Sequence, residues 1–403
     1  MHASRASLAA PLALALALAF LVLPGSALAA DPAPMPGVGL AEAWPGVKFT
    51  EPVFCVSDGS PDSMFVGEQT GQIVKVAKWR GQGAVPQPTV WLDLKSKVAY
   101  EGQGGLLGCA FHPQFAQNGR VFVSYLAKGP GGENAFVLVV SEFAATPGGS
   151  CDGASEKRVL QIGKRRNIHQ GGGLAFGPDG MLYLGVGDGG DPVSQQTVGK
   201  DFPSQTPNNP LGKILRMDVS TVGKCVPGAG NPWATGQGWM PFIYAYGFRN
   251  PWRFDWDAQG RMWTAEPGTS GEGSREWVTE IKRGMNHGWP YFEGDRPFAQ
   301  GGAAPAANNM VMPVLVYQSG QRAGAAIGGK FYKGSRVPAL KGKFIFIDYM
   351  RGEVYSVDLS SGAANDWRLL GQVPECAAVG MDAQGEVYIC SNGKNSIWTV
   401  IPR

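Results

Sequence analysis

The sequence predicts an all-β fold: a six-bladed β-propeller of four-stranded antiparallel blades with long end-face loops. Three observations lead there. Glycine fills 59 of 403 positions, about double its usual ~7% share, and long helical periodicities are few. A Gly or short polar turn followed by an apolar or alternating strand recurs six times, at Ser63–Val66, Gly119–Val123, Gly180–Leu184, Gly260–Trp263, Gly342–Phe346 and Gly385–Ile389. A second strand type follows several copies, at Gly71–Lys75, Gly212–Arg216, Gly352–Ser356 and Ser396–Val400. Even recurrence over most of the chain favours radial repetition over an array of β-sandwiches.

Taken in order, residues 1–29 are expected to be a signal peptide. Arg5 precedes an apolar run from Leu8 to Leu23, and Ala27-Leu28-Ala29 supplies small residues for cleavage. A membrane anchor is the competing reading; Pro11 and Pro24 break the run, which favours cleavage. No later stretch approaches the roughly 20 apolar residues that span a bilayer, so the mature protein is expected to lack a membrane span and to be periplasmic or secreted. Residues 30–44 read as a linker and 45–403 as the propeller, closed by an N-terminal strand near Val47 to Thr50. Long connections, Asp191 to Pro210, Cys225 to Met240, Pro267 to Arg275 and Asp295 to Pro313, fall on the end faces, where loops of this length are usually functional.

The formal charge of +3 includes the leader's Arg5, leaving a mature chain near neutrality. Lys164-Arg165-Arg166 is its one tight basic run, which argues against a nucleic-acid partner. Six cysteines in an exported chain favour disulfides. Of the fifteen possible connectivities, Cys376–Cys390 suits a hairpin register and Cys151–Cys225 could join neighbouring units, which leaves Cys55 with Cys109.

The chemistry centres on the hairpin from Asn167 to Asp191. The apolar runs Leu174–Phe176 and Met181–Leu184 flank Gly177-Pro178-Asp179-Gly180, a strong turn signal. With Pro178-Asp179 as a two-residue loop, Gly177 faces Gly180 and His169 falls opposite Asp188. Directly paired Cβ atoms lie roughly 4.5–5.5 Å apart, so the carboxylate can orient the imidazole as a general base. The alternative is a purely structural pair. The three glycines after His169 leave room for a flat ligand against the backbone. Of the other histidines, His112 reads as structural, and His287 as a channel-lining residue without a partner. Three scattered histidines cannot build a zinc site. Gln103, within Glu101–Gly108, and Arg249-Asn250, before Pro251, add an amide-and-guanidinium ring at the channel mouth; Arg suits planar anionic groups.

Four stretches together resemble one family: Gly102–Pro113, the His169 hairpin, Gly247-Phe248-Arg249-Asn250-Pro251 and Gly284-Met285-Asn286-His287-Gly288-Trp289-Pro290. In this order they are similar to the soluble glucose/sorbosone dehydrogenases, six-bladed propellers that bind pyrroloquinoline quinone and calcium; that family includes the propeller of hedgehog-interacting protein. The resemblance implies that His169 takes the proton from a sugar C1 hydroxyl while hydride passes to the quinone. It implies that Asp188 orients His169, that Gln103, Arg249 and Asn250 contact the quinone, and that Arg249 acts catalytically by stabilising the negative charge that builds on the quinone during reduction. Backbone carbonyls of Gly268 and Thr269 would hold Ca²⁺, whose hardness suits oxygen ligands. The partners implied are a small-molecule sugar and an external electron acceptor.

The chain also departs from that family. A Lys and two Arg that hold the cofactor's carboxylates align with Met350, Glu375 and Ala377. Arg322, Lys330 or Arg351 would then be expected to project into the mouth beside Arg249. A quinone-dependent aldose dehydrogenase is the leading reading. The alternatives are a cofactor-free propeller that binds a glycan or protein, and a propeller lactonase or other metal hydrolase.

Overall fold

The computed structural model describes residues 28–190, 202–236, 238–271, 273–298, 310–318 and 324–403. The expected leader lies almost wholly outside these residues. Six antiparallel blades form a six-bladed propeller. Blade 1 comprises Pro52–Val56, Ser63–Glu68, Gln72–Ala77 and Thr89–Asp93, and blade 2 Leu106–Phe111, Arg120–Gly131, Asn134–Ala145 and Cys151–Lys164. Blade 3 holds Gly171–Phe176, Leu182–Val186 and Lys213–Asp218, with Val226–Pro227 and Ile243–Tyr246 both pairing to the last of these. Blade 4 is Phe254–Trp256, Met262–Glu266, Arg275–Ile281 and Leu315–Gln318; blade 5 is Ala326–Phe331, Phe344–Asp348, Glu353–Asp358 and Asn365–Gln372. Blade 6 runs Cys376–Met381, Val387–Ser391 and Ser396–Pro402. The six copies of the repeat mark the second strand of every blade.

Alternation of side chains along each strand gives every blade two apolar faces, which pack on its neighbours. Phe122 and Leu138 of blade 2 share a core with Leu184 and Leu215 of blade 3. Val66 and Val74 of blade 1 meet Tyr388 and Ile397 of blade 6. At the hub the innermost strands come so close that side chains do not fit. A Cβ at Gly380 would stand 1.9 Å from the Cys55 carbonyl oxygen, and one at Gly328 1.9 Å from that of Arg253. Part of the high glycine content is thus a requirement of the hub.

Blade 6 is completed by the N-terminal strand Val38–Glu42, paired from Val38↔Pro402 to Glu42↔Trp398. That corrects the expected closure by Val47 to Thr50 and places a blade strand inside the expected linker 30–44. The chain turns at Pro45-Gly46, where Gly46 has φ 78°. Val47 and Phe49 beyond it are buried as side chains in the core between blades 1 and 6. Their apolar alternation reflects that packing and not a ladder. The disulfide pairings are corrected too, since all six cysteines are free thiols. A bulge sets Cys376 opposite Ser391 and Cys390 opposite Ala378, so the two thiols are not cross-strand partners.

Among the described residues no helix is long and apolar enough to cross a membrane. Arg253 reaches across the hub from blade 4, and its Nη2 donates to the carbonyls of Val53 (2.7 Å) and Leu107 (2.8 Å) in blades 1 and 2. Its guanidinium is buried, which lowers its pKa to about 9. Replacing it strands two buried carbonyls, each costing roughly 1–3 kcal/mol. Arg253→Met is therefore expected to lose about 2–5 kcal/mol in urea unfolding; a loss below 1 kcal/mol would show that the hub does not depend on this bridge.

Candidate active site

The hairpin brings His169 to Asp188 by a different path from the one the sequence suggests. Its turn is one residue longer, because the Gly177 amide donates to the Met181 carbonyl (2.9 Å). Phe176, Ala175 and Leu174 then face Leu182, Tyr183 and Leu184, one residue away from the expected register. A bulge between Leu174 and Gly171 removes the offset, and Gly171 faces Val186. The two departures cancel, and His169 Nδ1 lies 2.7 Å from Asp188 Oδ1. The three glycines serve this bulge and the close approach of neighbouring blades. Gly171 and Gly172 have φ of 63° and 94°, and a Cβ at Gly173 would lie 2.0 Å from the Trp252 carbonyl oxygen. They do not form a floor for a flat ligand.

Asp188 is an ionised acceptor held on three sides. Oδ1 accepts from His169 and from the Gly190 amide (2.8 Å), and Oδ2 accepts from Trp289 Nε1 (2.9 Å). Burial pushes its pKa up, but the hydrogen bond and charge of His169, with Arg249 and Gly190, leave it below the usual carboxylate range. A carboxylate at this contact fixes the proton of neutral His169 on Nδ1, so Nε2 carries the free lone pair. Burial, with Arg249 and Lys164 nearby, lowers the His169 pKa despite the opposing pull of Asp188. His169 is thus a neutral base with a braced ring. Its backbone is also clamped, at φ 47° in the left-handed region.

That clamp orients the neighbouring amides. Gln103 Oε1 accepts from the His169 amide (2.6 Å), and Asn250 Oδ1 accepts from the Gly171 amide (3.0 Å). Because both partners are backbone donors, the side-chain oxygens must face the hairpin. The NH₂ groups are left for other acceptors. Glu266 Oε2 in turn accepts from the amides of Arg249 (2.9 Å) and Asn250 (3.2 Å). Its Oε1 is buried without a partner, and burial raises its pKa to about 8. Arg249 lies over the Trp289 ring at 5.6 Å.

Gln103, His169, Arg249 and Asn250 all line one cavity of ≈ 230 Å³, whose wall also includes Gln69, Trp252, Pro267, Tyr349, Ala377 and Asn392. Gly268 and Thr269 follow Pro267 in sequence, and the structure does not place them on that wall. Their loop is fixed through its amides: Gly268 N donates to Glu276 (3.3 Å), and Thr269 N to Glu293 (2.7 Å). No group of three or more His, Cys, Asp or Glu able to hold a metal occurs among the described residues.

The charge around the cavity differs from expectation. Lys330 pairs with Asp255 at 3.4 Å and lines a deeper pocket with Arg253 and Cys55. Arg351 is bound to Glu353 (2.5 Å) and Asp31 (3.1 Å). Neither lines the cavity, because each has a carboxylate partner elsewhere; Arg322 lies outside the described residues. Arg249 is the one Lys or Arg on the described wall. Ala377 lies on that wall, and Glu375 lies in an adjoining lobe of ≈ 420 Å³ with Glu51 and Glu101. Met350 is exposed. The two lobes share Gln69, Gly102, Tyr349 and Asn392.

Sequence reasoning assigned no role to Trp289, Glu266 or Lys164. The signal for Trp289 was present in the Asn286–Pro290 stretch; the other two reveal themselves only by burial. His287 in the same stretch does not line the cavity. It stacks on Phe248, with centroids 4.3 Å apart, and is 7% exposed.

Comparison with known proteins bears on this geometry. The sequence profile of the Glucose / Sorbosone dehydrogenase family matches residues 54–399. The HIPL2 protein of Arabidopsis thaliana is 30% identical over 319 residues, covering 66% of this chain and 45% of that protein. The Hedgehog-interacting protein of Mus musculus is 25% identical over 386 residues, covering 87% and 50%. The chain thus spans about half the length of these curated relatives. The PQQ-bound aldose sugar dehydrogenase of Streptomyces coelicolor superposes with a TM-score of 0.68 at 21% identity, over 91% of this chain and 100% of that one. At that identity the superposition shows the fold.

The described histidines are all held neutral by burial, most strongly His287, whose pKa falls to about 3. Its Nδ1 has no partner among the described residues. The unfolded chain takes up a proton near pH 6.5 that the folded chain refuses. Its contribution is therefore complete above pH 6.5 and is lost as pH falls toward 3. Between pH 6.5 and 4 that loss is about 3 kcal/mol. His287→Phe, which keeps the stack on Phe248, should reduce the acid destabilisation by this amount in urea titrations at the two pH values. Identical pH dependence in variant and wild type would contradict it.

Proposed function

This chain belongs to the glucose/sorbosone dehydrogenase family, and from that premise we propose that it oxidises the C1 hydroxyl of aldose sugars to lactones as an exported quinoprotein. The observation that carries the reading is the 2.7 Å contact of His169 Nδ1 with Asp188 on the wall of a donor-lined cavity. His169 Nε2 takes the hydroxyl proton, and ionised Asp188 stabilises the imidazolium that results. Three hydrogen bonds hold Asp188 in place, so little reorganisation accompanies the transfer. When bound, pyrroloquinoline quinone supplies the hydride acceptor, which an external electron acceptor then regenerates.

The residues present fit such a group at its electron-rich carbonyls. Arg249 and the amide nitrogens of Gln103 and Asn250 form a set of donors on the wall, oriented by the hairpin's own backbone. Carbonyls of Gly268 and Thr269 would hold Ca²⁺, their amides being engaged by Glu276 and Glu293. The fit is poorer at the cofactor's three carboxylates. Each missing charge-assisted hydrogen bond forfeits roughly 1.5–3 kcal/mol, and Glu51, Glu101 and Glu375 stand in the adjoining lobe. The same lobe favours a second reading, a cofactor-free propeller that binds a glycan or protein.

Two measurements separate these readings. Titrating the calcium-loaded protein with quinone should reveal weak binding that falls further as salt is raised, since exposed charges are screened over roughly 8–10 Å. Tight, salt-insensitive binding would refute the charge argument, and no binding at either salt would select the cofactor-free reading. With quinone and an aldose, His169→Ala should reduce turnover by roughly 10²–10⁴-fold while largely keeping quinone affinity. Undiminished turnover would remove His169 as the base.

A further inference from the structure

Lys164 ends the outer strand of blade 2, yet its side chain turns inward and the residue is 1% exposed. Its Nζ donates to the carbonyls of Gly187 (3.0 Å) and His169 (3.3 Å). These carbonyls lie on opposite arms of the hairpin: one belongs to the base itself, the other to the residue before Asp188. The two arms are already tight here, as a Cβ at Gly187 would lie 2.1 Å from the His169 carbonyl oxygen. No carboxylate lies within ion-pair distance of Lys164 among the described salt bridges. Its nearest compensating charge acts through space, from Asp188 on the facing arm. The other charged or titratable groups around the pair are His169 itself, Arg249 and, behind Arg249, Glu266.

An ammonium in this position does two things. It fixes the left-handed backbone of His169 from beneath, complementing the Gln103 bond to the same residue's amide. It also adds positive charge beside an imidazole that must stay unprotonated until substrate arrives, because like charges disfavour a second protonation. We propose that Lys164 is a positioning residue for His169, bracing the two carbonyls that frame the His169–Asp188 contact and holding the imidazole in its neutral, proton-accepting form. The inference rests on His169 being the base, and it deepens that reading by naming what keeps the base competent.

A second buried lysine supplies the control. Lys213 is 0% exposed, and its Nζ donates to the carbonyls of Pro203 and Leu211, both at 2.8 Å. It braces loops in the same manner, and neither carbonyl it meets belongs to His169 or Gly187.

The test is NMR titration of the imidazole of His169 in the whole mature protein, without quinone, in wild type, Lys164→Met and Lys213→Met. The His169 pKa should rise by roughly one unit in Lys164→Met and stay unchanged in Lys213→Met. An unchanged value in Lys164→Met, or equal shifts in both variants, would reduce Lys164 to a structural brace and overturn the proposal. If Lys164→Met does not fold, wild type decides. Burial lowers the Lys164 pKa to about 7, so the His169 resonances should show a second inflection above the ring's own titration, one that persists in Glu266→Gln, which removes the other nearby group titrating in this range. The absence of any inflection above the ring's own titration would refute the linkage. Because no turnover is measured, failure here is distinct from failure of the dehydrogenase reading.

Discussion

Buried carboxylates that accept main-chain amides hold the mouth of this propeller together. Glu266 takes the amides of Arg249 and Asn250, Glu276 those of Gly268 and Ala326, and Asp348 those of Ala325 and Arg351. Each carboxylate lies on a strand, and each amide lies in a loop or strand start at the same end of the wheel. A loop lacking its own ladder has amides that must find acceptors, and in each case a single carboxyl oxygen accepts both amides. The wall around His169 is rigid because these contacts tie loop to blade and blade to blade. Burial is the cost: it raises the pKa of both Glu266 and Asp348. Asp188 differs in sign because the hydrogen bond and charge of His169 outweigh its burial, and so it remains charged where charge is useful.

How much of this was legible in the sequence depended on the range of the determining contact. The six-fold repeat was legible, since glycine turns and alternating strands are local. The His169–Asp188 pair was legible in outcome and not in mechanism: the turn is a residue longer than Pro178-Asp179 implies, and the Gly171–Gly173 bulge compensates. That bulge is set by Leu107 and Trp252 of neighbouring blades, which no local pattern shows. The closing strand differs from expectation for a related reason, as the apolar alternation of Val47 and Phe49 outweighs the short Val38–Glu42, whose alternation Gly39 interrupts. Cysteine pairing failed because proximity within a hairpin does not fix register, and the bulge in blade 6 separates Cys376 from Cys390. Lys164 and Glu266 could not be read at all, since nothing in sequence distinguishes a buried lysine or glutamate from an exposed one.

The charge pattern around the cavity separates two tasks that the site must perform. Proton abstraction needs a neutral imidazole, an ionised carboxylate behind it and fixed donors beside it, and all three are supplied by the hairpin and the Arg249 loop. Holding a multiply charged ligand needs cations spread over a wider wall, and there the described structure offers amides, Tyr349 and the small side chain of Ala377. Lys330 and Arg351 are present but committed to Asp255, Glu353 and Asp31, so recruiting either would break an existing ion pair.

These two tasks are linked through the base. Every cation added near the cavity to retain an anionic ligand also lowers the basicity of His169, because positive charge disfavours the imidazolium. Asp188 offsets this, but its field already compensates Lys164 and Arg249. A wall poor in cations therefore weakens retention of an anionic ligand while leaving His169 the stronger base. Lys164 joins Arg249 in that balance, from the backbone side of His169. Its burial keeps its charge out of reach of the ligand, so it acts on the imidazole without contributing to the wall.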